Sequence, residues 1–188
     1  MIFLSSFGFR SPIAAQKMKE YVPEPFDKKV LVIPFAGFNS ENTGIREQEG
    51  LLAFGFIQPN VFILTRSNVE EMRKLSFDYI YVPGGDPFKL LSELQSLDLL
   101  DDIKRRVTDG TDYIGVSAGA MLATSNIEYA AQLEDNNFGF NKFDGLGLID
   151  DCVVCHIDQL EKSAVLACKT SCPERKLLGI RNDEIIVK

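Results

Sequence analysis

Histidine occurs once in these 188 residues, cysteine four times, and basic side chains are outnumbered by acidic ones, 20 to 27. Each shortage excludes something. A net charge of −7 leaves no surplus of lysine and arginine to hold a phosphate backbone, so nucleic acid is not expected as a partner. No apolar run approaches the ~20 residues that cross a bilayer, so no membrane partner is expected either. Cys152, Cys155, Cys168 and Cys172 are too few to staple a chain of this length, and reduced thiols in a cytoplasm are the simpler reading. The opening Met1 to Phe7 is apolar but has no basic lead-in, and Arg10 cuts it short. It reads as a first strand rather than a secretory signal.

What is present is an ordinary globular composition, 45% hydrophobic and 25% charged, in a length that suits a single domain over residues 1–188. The pair Cys152-x-x-Cys155 invites a zinc reading, but it lies in the strand-like run Cys-Val-Val-Cys-His-Ile. Residues three apart on a strand point to opposite faces, so ordinary packed thiols are expected there, with neither metal nor cofactor.

Strand-like and helix-like segments alternate. Lys29–Pro34, Asn60–Thr65, Asp78–Val82 and Asp112–Val116 read as buried strands. Ser40–Phe54, a segment opened by Asn68 as cap, Phe88–Leu94, Leu97–Val107 and Gln159–Lys169 read as helices. Val153–Ile157 reads as a further strand, and Leu177–Ile180 with Glu184–Val187 as a closing pair. This order predicts a three-layer α/β sandwich with a mostly parallel central sheet.

Active sites in such sheets gather at the carboxyl ends of the strands. Gly115-Val116-Ser117-Ala118-Gly119 follows one strand and opens a helix of small residues, the context of a G-x-S-x-G nucleophile elbow. Pro83-Gly84-Gly85-Asp86 ends another strand, where bare backbone N–H groups pair with that of Ala118 to cradle an oxyanion. A serine hydroxyl needs a base, and His156 is the chain's one imidazole. The acid that orients it is sought among Glu128, Glu134 and Asp135, between serine and histidine.

The serine segment, Gly84-Gly85-Asp86-Pro87-Phe88-Lys89-Leu90-Leu91 and the downstream histidine resemble the peptidase E and cyanophycinase family of serine peptidases. Leu4-Ser5-Ser6-Phe7, Phe143–Leu148 and Ile180-Arg181-Asn182-Asp183-Glu184 are similar to it too. The resemblance implies a fold like the class I glutamine amidotransferases. It implies Ser117 as nucleophile, His156 as base, Gly85 and Ala118 as oxyanion hole, and Glu134, with Asp135 as alternative, as the acid. It further implies hydrolysis of short peptides, by a dipeptidase or other exopeptidase, and leaves homodimerisation open. Two departures are visible. Asp86 stands where the family often has asparagine, and no arginine follows His156 to match the one that helps peptidase E hold an aspartyl substrate. The chain is also short for that family, which predicts a trimmed C-terminal part.

Overall fold

The computed structural model describes residues 1–139 and 142–188. In chain order it runs β1 (Ile2–Ser5), α1 (Pro12–Met18), β2 (Val30–Val32), α2 (Ser40–Phe54), β3 (Val61–Ile63), α3 (Val69–Met72) and β4 (Tyr79–Val82). It continues α4 (Pro87–Ser96), α5 (Leu100–Thr108), β5 (Asp112–Val116), α6 (Ala118–Leu122), β6 (Cys152–Cys155), α7 (Lys162–Ser171), β7 (Leu177–Ile180) and β8 (Ile185–Val187). The six-stranded sheet has the order β3-β2-β4-β5-β1-β8. All its pairings are parallel except that of β8 with β1.

The two-residue period of the strands builds the layers. Phe3, Val30, Val32, Tyr79, Tyr81, Ile114 and Val116 pack on one face with Met18 of α1 and Leu51 and Phe54 of α2. The intervening Leu4, Leu31, Ile80, Val82 and Tyr113 pack on the other with Leu90 and Leu94 of α4, Ile103 of α5 and the small residues of α6. Both faces are therefore covered by helices, which is why the strands read as continuous apolar runs. Each fully buried aliphatic side chain contributes about 1.5–3 kcal/mol.

Local chemistry sets the helix starts. Asp86 caps α4 by accepting from Phe88 N at 2.8 Å and Lys89 N at 3.0 Å, with Pro87 at the first helical position. That accounts for the Asp-Pro pair at the end of β4. At α2 the cap is Asn39 rather than Ser40, accepting from Asn42 N at 3.0 Å. Asn68 stands at the N-cap position of α3 as expected, its carbonyl accepting from Glu71 N and Met72 N, but its side chain makes no capping bond. Its side chain turns back to the preceding loop, accepting from Thr65 N and donating to Ile63 O.

The expected closing pair does not pair with itself. β7 lies parallel to β6 in a separate two-stranded sheet, while β8 runs antiparallel to β1 at the edge of the main one. The turn between them, residues 181–184, therefore bridges the two sheets. Arg181 N donates to Glu184 Oε2 and Ser5 Oγ to Glu184 O, tying that turn to the end of β1. Among the described residues, no helix is long and apolar enough to cross a membrane.

Candidate active site

Ser117 follows β5 directly and precedes α6, with φ 50° and ψ −109°. For a residue with a Cβ this backbone costs about 1–3 kcal/mol and persists only where surrounding structure holds it. Its N–H donates to Ser5 O of the neighbouring strand at 2.8 Å. Gly119 lets α6 press onto the sheet, since a Cβ there would stand 2.1 Å from Val82 O. The short turn thus presents the hydroxyl above the strand ends.

His156 follows β6 and also has positive φ, 56°. It leaves the strand one residue earlier than its apolar neighbours suggest, because its N–H donates to Ser6 Oγ at 2.9 Å rather than continuing the ladder. Ser6, wholly buried, donates in turn to Ile180 O at 2.9 Å, so one hydroxyl joins β1, β6 and β7 where the two sheets meet. The imidazole lands with Nε2 3.1 Å from Ser117 Oγ.

On its other side, Nδ1 stands 2.6 Å from Asn182 Oδ1. An amide oxygen only accepts, so Nδ1 carries the proton and Nε2 is left to accept from the serine hydroxyl. Asn182 is itself held by its N–H, which donates to Asp158 Oδ1 at 3.2 Å. The ring of Phe7 packs against the imidazole with centroids 5.1 Å apart.

Glu134 and Asp135 are not brought to this histidine. Glu134 lies beyond α6, near Asp86 and Asp135, where partial burial and those two charges raise its pKa. Asn182 fills the place that an orienting acid was expected to take. The C-terminal segment containing Asn182 was among the resembling stretches, so a signal for it existed. It lies outside the stretch between Ser117 and His156 and is an amide, so an expectation of an acid in that stretch does not include it. Glu128 opens a short 3₁₀ turn, residues 128–132, and makes no bond to the site.

Gly84 and Gly85 come from the end of β4 against Ser117. A Cβ on Gly84 would lie 3.0 Å from Ser117 Cβ, and one on Gly85, where φ is 147°, would lie 2.2 Å from Ala36 O. Among the described residues neither Gly85 N–H nor Ala118 N–H donates to a protein acceptor. Loop 35–39 is held over this turn by Asp86 N donating to Ala36 O at 2.9 Å and by Lys89 Nζ donating to Gly37 O. The serine and histidine open on a cleft of about 570 Å³ that is also bordered by Arg10, Arg46 and Phe38. A second cleft, about 560 Å³ and bordered by Phe35, Ile45 and Ile63, holds neither of them.

Of the thiols, only Cys155 touches this arrangement, from beneath, at backbone carbonyls. Cys155 and Cys152 do point to opposite faces: Cys155 Sγ lies 3.7 Å from Ser117 O, whereas Cys152 faces Cys172 and Cys168. Burial pushes the Cys155 thiol up to about 12, which keeps it protonated near neutrality.

A serine–imidazole pair at the carboxyl edge of a parallel sheet, with free backbone donors beside it, defines a class of α/β proteins equipped for acyl transfer. Comparison with known proteins narrows the class. The model of peptidase family S51 matches residues 2–188, and the chain belongs to that family. It is 34% identical over 134 residues to the uncharacterized peptidase Lmo0363 of Listeria monocytogenes, covering 69% of this chain and 65% of that one. It is 32% identical over 120 residues to the peptidase E of Actinobacillus pleuropneumoniae serotype 3, covering 62% and 47%. The chain thus spans about half to two-thirds of the length of these curated relatives. A crystal structure of a candidate peptidase E from Listeria monocytogenes superposes with a TM-score of 0.74 at 25% identity, over 100% of this chain and 96% of that one.

Proposed function

We propose that the protein is a serine peptidase that hydrolyses short peptides through an acyl-enzyme. The observation that carries this reading is the 3.1 Å approach of Ser117 Oγ to His156 Nε2, beside two unengaged N–H groups. In the first half-reaction Ser117 Oγ bonds to the scissile carbonyl carbon while its proton passes to Nε2. The oxyanion accepts hydrogen bonds from Gly85 N–H and Ala118 N–H. His156 then gives the proton to the leaving amine, and the C–N bond breaks. In the second half-reaction water attacks the ester, again through His156, and the free acid departs.

Asn182 serves here as the orienting residue. It holds the ring in the tautomer that frees Nε2, as the amide does in Cys-His-Asn peptidases, but it adds no negative charge to steady the imidazolium. A dipeptidase or exopeptidase activity on short substrates is in keeping with the peptidase E relatives.

A fluorophosphonate probe with peptide mapping tests the reading. Ser117 is expected to be labelled, Ser117→Ala to resist labelling, and a panel of dipeptides to be hydrolysed by the native protein. Absence of label on Ser117 together with an inert panel would leave a binding protein on the same fold.

A further inference from the structure

The cleft is unusual in its charge. The protein carries −7, yet among the described residues those lining the cleft include two arginines, Arg10 and Arg46, and no aspartate or glutamate. The two guanidiniums are not equivalent. Arg46 is answered by the buried Glu47, whose Oε1 accepts from its Nη2 at 2.9 Å and its Nε at 3.2 Å, while Oε2 accepts from Tyr81 Oη at 2.7 Å. Arg46 therefore enters the cleft largely neutralised. Arg10 has no carboxylate within ion-pair distance among the described residues, and its guanidinium lies over the Phe7 ring at 5.9 Å. Phe7 in turn packs on His156. One aromatic ring separates an uncommitted cation from the catalytic imidazole.

Direction decides what that cation meets. The group that receives the proton from His156 is the leaving nitrogen, so the leaving amino acid must lie on the imidazole side of the cleft, away from Gly85 and Ala118. If that amino acid is the last of its peptide, its α-carboxylate is only about 2.5 Å from the leaving nitrogen. A guanidinium matches a carboxylate with two parallel hydrogen bonds and keeps its charge at any working pH.

We infer that Arg10 is a specificity-determining residue that binds the free α-carboxylate of the leaving amino acid, so that dipeptides are preferred to amidated or longer peptides. The inference rests on the acyl-transfer reading for its orientation.

Calorimetric binding to Ser117→Ala, which cannot turn over, tests it with four ligands: Ala-Ala, Ala-Ala amide, Asp-Ala and Asp-Ala amide. Both free acids are expected to bind at least ~10-fold more tightly than their amides, the usual worth of a charge-assisted pair. Adding Arg10→Gln should bring that ratio near 1 without changing the unfolding temperature, and Arg10→Lys should restore part of it. Equal affinity of acid and amide, a ratio that survives Arg10→Gln, or no binding of any ligand would overturn the assignment. So would an Arg10→Gln loss that follows aspartate over alanine, because it would place Arg10 on the acyl side. Hydrolysis by the native protein is scored separately, so discrimination without turnover would sink the peptidase reading and leave Arg10 standing.

Discussion

Ser117 and His156 arrive at one point by the same backbone device from different sheets. Each is the first residue after a strand, each has positive φ despite its side chain, and each N–H donates to the end of β1: that of Ser117 to Ser5 O in register with the ladder, that of His156 to Ser6 Oγ. They differ in their surroundings. Ser117 stands in the middle of the six-stranded sheet, flanked by glycines that let α6 and the β4 turn close around it. His156 ends a two-stranded sheet that is joined to the main one through Ser6, and its positive φ has no glycine beside it to announce the bend. The lesson is that a serine–histidine pair can be half motif and half docking of two sheets.

The sharpest way to break this comparison is to remove each side chain. Ser117→Ala should abolish dipeptide hydrolysis, and His156→Ala should lower kcat by about 10³-fold or more in steady-state assays. In the same pair of sites, Ser117→Gly should be more stable to unfolding than Ser117→Ala by about 1 kcal/mol, because glycine relieves the left-handed backbone. Equal stabilities would mean that the turn is not strained.

Asn182 tests the docked half. Asn182→Ala should lower kcat by about 10–10²-fold through loss of the imidazole tautomer, with little change in KM. Asn182→Asp should restore most of that activity by supplying an acceptor in the same place. A full-strength Asn182→Ala would show that Phe7 and Ser6 alone orient the ring.

The smallest effect belongs to Glu134. Because it does not reach His156, Glu134→Gln should leave kcat/KM unchanged. Its stability effect has a definite sign: burial and the neighbouring Asp86 and Asp135 raise its folded pKa, so the folded state favours the protonated form. Ionisation as the pH rises through that value weakens the fold. Glu134→Gln should therefore raise Tm slightly near neutrality and not in acid, where the glutamate is protonated in both states. The rise stays small because the group is largely exposed to solvent.

The layers of the fold were legible because buried parallel strands must be apolar throughout, and β2 and β4 are. Ser117, Gly85 and Ala118 were legible because a sharp strand-to-helix turn and a close backbone approach demand small residues at set spacings. The partner of His156 was not. Asn182 is 26 residues downstream on a turn whose strands join different sheets, and nothing local in Ile-Arg-Asn-Asp-Glu marks which side chain faces the imidazole. Pairing β7 with β8 from sequence alone made that turn a simple hairpin. The structure instead sends it across the gap between sheets.

The sequence by itself determined a doubly covered parallel sheet, a serine at the tip of a tight turn, and a single histidine to serve it, because burial period and backbone sterics act over a few residues. Tertiary structure alone decided that Asn182, not Glu134 or Asp135, meets that histidine, and that Arg10 faces the cleft without a carboxylate partner among the described residues. Those contacts depend on how β6 and β7 dock against β1 through Ser6, and distances between separately folded turns are set by packing rather than by local pattern.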